Sequence, residues 1–109
     1  MKILKQEEMR VILLDTRNNV RKTVTVSRGT LDSAEVHPRD VFREAIKANA
    51  KSIILAHNHP SGSTNPSADD CRITKKLVEA GKVISSEIID HIILAGESYF
   101  SFKEEGMLS

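Results

Sequence analysis

The run Ser52-Ile53-Ile54-Leu55-Ala56 leads straight into His57-Asn58-His59-Pro60, and this junction constrains the chain more than any other stretch. A short apolar run of this kind reads as a buried strand. Side chains alternate across a strand, so His57 and His59 leave it on the same side. Pro60 lacks a backbone donor and ends the strand. The fold must therefore deliver two imidazoles, side by side, to the end of a buried strand. Ser61 to Pro66 is loop chemistry, and a helical pattern opens at Ala68. Asp70, Ile73 and Leu77 fall on one stripe of that helix. If Ile73 and Leu77 face the core, Asp70 points inward near the chain entry, and Asp69 is rotated away.

Two histidines and a carboxylate form a ligand set for tetrahedral zinc with one position left for water, the arrangement of a catalytic site. A plainer reading of the same residues exists. Ser67-x-x-Asp70 matches a capping box, in which the serine caps the helix and the acid sits near its positive end. Pro60, Gly62 and Pro66 then serve only as loop punctuation. Spacing alone leaves both readings open.

The rest of the chain supplies a scaffold of ordinary kind. Met9 to Asp15 reads as a strand, Thr16 to Asn19 as a turn, and Val20 to Ser27 as a second strand, forming an antiparallel hairpin that Gly29 breaks. Pro38 fits the first residue of a helix, with His37 at its entry and Val41, Phe42, Ala45 and Ile46 on its core face. The second helix should run from about Ala68 to Ala80, with Ser67 as N-cap and Gly81 just past its end. Ile88 to Ala95 is another buried strand, and Ser98 to Phe102 follows a Gly96-Glu97 turn. Interleaved strands and helices with an early hairpin predict an α/β fold: a mixed central sheet with flanking helices. The plain reading of His91 is a satisfied sheet histidine; the alternative is that Asp90-His91 supports a metal ligand. Cys71 beside Asp70 reads as a small buried filler.

Several function classes recede on composition. At 109 residues the chain has room for one core, and 16 basic against 15 acidic residues leave a net charge of only +1. That balance gives no global pull toward nucleic acid or membrane. Aromatics make up 4% and tryptophan is absent, which argues against broad base-stacking surfaces. Arg17, Arg21, Lys22 and Arg28 on the hairpin predict at most weak, salt-sensitive contact with nucleic acid. A lone cysteine and no apolar span suit a cytoplasmic location.

His57-x-His59, seven residues, Ser67, two residues and Asp70 resemble the JAMM motif of JAB/MPN metalloproteins. More narrowly, His57-Asn58-His59-Pro60-Ser61-Gly62, Val36-His37-Pro38-Arg39-Asp40-Val41-Phe42 and Asp90-His91-Ile92-Ile93 resemble the RadC family. The resemblance covers nearly the whole chain. It implies a JAB/MPN fold related to that of the cytidine deaminases, and residues 1–109 as a single such domain. Larger RadC proteins carry an N-terminal helix-hairpin-helix region that nothing in this sequence matches. The resemblance also implies His57, His59 and Asp70 as zinc ligands and Ser67 as a hydrogen-bond donor to the water or oxyanion. An upstream glutamate would be the general base. Glu8 fits best, with Glu7 its neighbour and Glu35 further along.

The implied function is a zinc-dependent hydrolase of metallopeptidase type that uses a metal-activated water on a peptide or isopeptide bond. The family name carries a historical link to DNA repair. A nucleic-acid-associated metal-binding module without peptidase activity is the alternative. Neither substrate nor oligomeric state is written in these residues.

Overall fold

The computed structural model describes residues 6–29 and 36–108. Five strands and two helices alternate along them: β1 (Glu8–Leu14), β2 (Val20–Arg28), α1 (Pro38–Lys47), β3 (Ser52–Asn58), α2 (Ala68–Ile84), β4 (Glu87–Ala95) and β5 (Ser98–Ser101). The strands form one mixed sheet in the order β2-β1-β3-β4-β5. Only β3 and β4 run parallel, because α2 carries the chain back between them. The other neighbours are antiparallel. The first hairpin closes where Asp15 Oδ1 accepts from the N–H groups of Arg17 and Asn19 at 2.9 and 3.0 Å. Asn18 there adopts a φ of 62°, which asparagine tolerates.

Alternation decides what lies under the helices. Met9, Val11 and Leu13 of β1 and Ile53 and Leu55 of β3 are wholly buried. They share one core with Val41, Phe42 and Ala45 of α1 and Ile73, Leu77 and Val78 of α2. Each fully buried aliphatic side chain of this kind contributes about 1.5–3 kcal/mol. The register then fixes where the chemistry emerges. Met9 pairs with His57, so the core face of β1 leads up to the imidazole. On the parallel side Leu55 pairs with His91. Among the described residues no helix is long and apolar enough to cross a membrane.

Two expectations from the sequence need correction. Ile46 is 63% exposed, since α1 turns its core stripe through Val41, Phe42 and Ala45 and leaves the last turn in solvent. The second helix does not stop before Gly81 but runs on to Ile84, ending at Ser85 in a left-handed conformation with φ 65°. Gly81 is there for space. A Cβ on it would stand 2.6 Å from the Ser86 carbonyl oxygen, against the chain as it turns into β4.

Candidate functional site

Three side chains converge where β3 ends and α2 begins. One ligand atom each from His57, His59 and Asp70 lie within 4.8 Å of one another, and this group could hold a metal ion. His57 Nε2 lies 3.0 Å from His59 Nε2, 3.2 Å from Asp70 Oδ1, and His59 Nε2 lies 3.1 Å from Asp70 Oδ2. His57 is fully buried and His59 sits at the rim.

Helix entry places the carboxylate. Ser67 Oγ accepts from the Asp70 N–H at 2.9 Å, and Asp70 Oδ2 accepts from the Ser67 N–H at 2.8 Å. The capping box therefore exists, and it is what aims Asp70 at the histidines. The plain and the chemical readings of Ser67-x-x-Asp70 describe the same geometry. With its oxygen accepting from Asp70, the exposed Ser67 hydroxyl keeps its proton for an outside acceptor. Burial alone would raise the Asp70 carboxyl. With no cation between them, hydrogen bonding to His57 and to the Ser67 N–H, and the nearness of both imidazoles, hold it well below the ordinary aspartate value.

The far nitrogens of the two histidines are held differently. His59 Nδ1 lies 2.7 Å from the Ser63 carbonyl, which can only accept, so Nδ1 carries a proton and the neutral ring has its lone pair at Nε2. His57 Nδ1 lies 2.7 Å from His91 Nε2. His91 Nδ1 in turn meets the Thr74 hydroxyl, which donates to the Asp70 carbonyl at 2.8 Å. The His91 ring stacks on Phe102 at 4.7 Å and 7°. Burial, and then the neighbouring His57, push its pKa down to about 3, so it is neutral at pH 7. Of the two readings of His91, it is both a satisfied sheet histidine and the partner of a candidate ligand. Asp90 serves elsewhere, accepting from Ser101 Oγ at 2.6 Å and from the His91 and Lys103 N–H groups at 2.7 and 3.0 Å.

Glu8 is not brought into this group. Alternation carries its side chain to the face of Arg10 and Ile12, opposite that of Met9 and His57. Its carboxylate pairs with Arg10 Nη2 at 3.2 Å and Arg28 Nε at 3.9 Å. The half-buried Glu7, one residue earlier, has the parity of Met9 and His57, and its carbonyl accepts from the Gly29 N–H at 2.7 Å. Glu35 lies outside the described residues. Asn58, which sequence reasoning passed over, ties this segment to the site. Its Oδ1 accepts from the Glu8 N–H at 2.7 Å and its Nδ2 donates to the Gln6 carbonyl at 3.0 Å, one bond on each side of Glu7. Its place between the two histidines at the end of a buried strand was the available signal. Cys71 is half-buried and free, and it takes no part in the cluster.

Residues 1–107 match the family model described as RadC-like JAB domain. A UPF0758 protein of Rubrobacter xylanophilus is 52% identical over 105 residues, which are 96% of this chain and 46% of that protein. UPF0758 proteins of Clostridioides difficile and Clostridium botulinum (strain Langeland) are 52% and 49% identical, over 95% and 99% of this chain and 44% and 47% of theirs. The chain thus spans about half the length of the curated relatives it matches.

Proposed function

The chain belongs to the RadC-like JAB domain family, and on that premise we propose that it is a zinc-dependent hydrolase acting on a peptide or isopeptide bond. One observation carries the reading. Two imidazole Nε2 atoms and a carboxylate face each other within about hydrogen-bond distance, with the far histidine nitrogens occupied by protein. Acceptors packed this closely repel unless protons or a metal cation sit among them, and a cation satisfies all three at once. Nitrogen and oxygen donors in this number suit zinc with an open position.

The chemistry such a cation supplies is acidification of a water to near neutral pH and polarisation of a carbonyl oxygen. The protein residues do the rest. Asp70 and the two histidines fix the position, each braced from behind. The Ser67 hydroxyl donates to the substrate oxygen as it gains charge. The alternation of β1, continued one residue back to Glu7, favours Glu7 over Glu8 as the base that takes the water's proton and returns it to the leaving nitrogen. Asn58 holds the backbone on both sides of Glu7.

Elemental analysis should find one zinc per chain, and a peptide-library digest should reveal cleavage. Glu7→Gln should abolish cleavage and keep zinc, while Glu8→Gln should keep both. Cleavage that survives Glu7→Gln and dies with Glu8→Gln would return the role to Glu8. Absence of zinc from the wild-type protein would remove the reading altogether.

A further inference from the structure

His57 is the one member of the cluster whose two ring nitrogens both face other ionisable side chains. A neutral imidazole binds a cation through Nε2 only if its proton sits on Nδ1. The placement of that proton can be followed from the helix. The Asp70 carbonyl only accepts, and Thr74 has a single hydroxyl proton to give it at 2.8 Å. Thr74 Oγ1 is then the acceptor on its other side, where His91 Nδ1 lies. With its proton on Nδ1, His91 presents a lone pair at Nε2, and the His57 Nδ1 facing it at 2.7 Å must be the donor. In the neutral ring the lone pair of His57 is thereby left at Nε2, toward Asp70 and His59. His57 and His91 are 0% exposed and Thr74 is 3% exposed, so solvent does not reorder these bonds. Phe102, stacked on His91, keeps the ring in the plane the chain requires.

A hydrogen-bonded chain can also run the other way. A His91 with its proton on Nε2 would donate to His57 Nδ1, and a proton on His57 Nε2 would then occupy the cation's place. We propose that Thr74 and His91 are positioning residues that select the His57 tautomer able to bind a metal, so that metal affinity depends on a hydroxyl two side chains away from the ligand atom. This rests on the reading of His57 as a ligand, although the tautomer of His91 is a property of the protein with or without metal.

The test reads the two separately. In uniformly 15N-labelled protein, multiple-bond 1H–15N correlation spectra should show His91 as the neutral Nδ1–H tautomer, both metal-free and zinc-loaded. Zinc affinity, measured by competition with a chelator, should fall about 10- to 100-fold in Thr74→Val, the range typical when support behind a ligand is lost. Thr74→Ser should restore it. The affinity is measured at a temperature where circular dichroism shows each variant folded, so a purely structural role of Thr74 would leave it unmoved. An Nε2–H tautomer of His91 in the wild type would overturn the proposal, as would unchanged zinc affinity in folded Thr74→Val. Should the wild type bind no zinc yet show the Nδ1–H tautomer of His91, the metal reading falls while the proton order stands.

Discussion

His57 and His59 stand two residues apart and face the same carboxylate, yet one lies inside the core and the other at its edge. His57 is sealed under the sheet, and its second nitrogen meets a side chain delivered from β4. His59 is at the rim, and its second nitrogen meets a backbone carbonyl of the exposed loop that follows. Strand alternation placed both on one side; the end of the strand then separated their fates. The inner histidine is part of what packs the core. The outer histidine contributes less to the packing and more to the mouth of the cluster.

The pair of alanine variants should break this comparison most visibly. His57→Ala empties a buried site and strands the His91 lone pair, so it should cost the metal-free protein about 2–4 kcal/mol, the range of large-to-small core changes. His59→Ala should cost less, because its ring lies at the edge of the core and not inside it. Both should lose stoichiometric zinc. Urea denaturation and elemental analysis give the two readouts, and equal destabilisation would erase the distinction between inner and outer histidine.

Acid should sharpen it next. His91 has a depressed pKa in the folded state, so the unfolded chain takes up its proton first as pH falls below the ordinary histidine value of 6.5. Its contribution to stability is complete above 6.5 and is lost as pH falls toward about 3. The Asp70 contribution is complete above 3.8 and is lost below that value. The urea midpoint of the metal-free protein should therefore decline from pH 7 to pH 4, and less steeply in His91→Phe. A flat profile would mean that the inner half does not stay neutral when buried.

Smaller effects are expected at the helix entry and in the loop. Ser67→Ala removes the cap on the Asp70 N–H and should cost about 1 kcal/mol. It should keep zinc, because the Asp70 carboxylate still has the Ser67 N–H. In the exposed loop, Ser61→Ala should change stability by less than about 0.5 kcal/mol and leave zinc affinity unchanged. A larger effect there would show that the outer half is more ordered by its side chains than its exposure suggests.

Periodicity was enough to read the strands, both helix starts and the convergence of the two histidines on the first turn of α2. What escaped depended on phase and on distant partners. Glu7 and Glu8 differ by one residue, and one residue reverses the face of a strand; the pairing of Met9 with His57 shows that Glu8 lies on the other face from the histidine. Gly81 looked like a helix terminator because that is glycine's commonest role near a helix end. Its true constraint, the nearness of the Ser86 carbonyl, comes from the return of the chain into β4. His91 and Thr74 reach His57 only because β3 and β4 are parallel in one particular register, with α2 laid across them. Asn58 hides in plain sight between two more conspicuous residues.

The capping box at the start of α2 also bears on the order in which the molecule assembles. Ser67 and Asp70 are three residues apart, whereas His57 and His91 are separated by 34. Contacts that close short loops form before those that close long ones, since less chain entropy is lost. On that ground the nascent helix should orient its carboxylate while the sheet is still incomplete, so that the histidines meet a partner already aimed. Substitutions at Ser67 should accordingly slow refolding as well as speed unfolding, while those at His91 should act mainly on the unfolding rate.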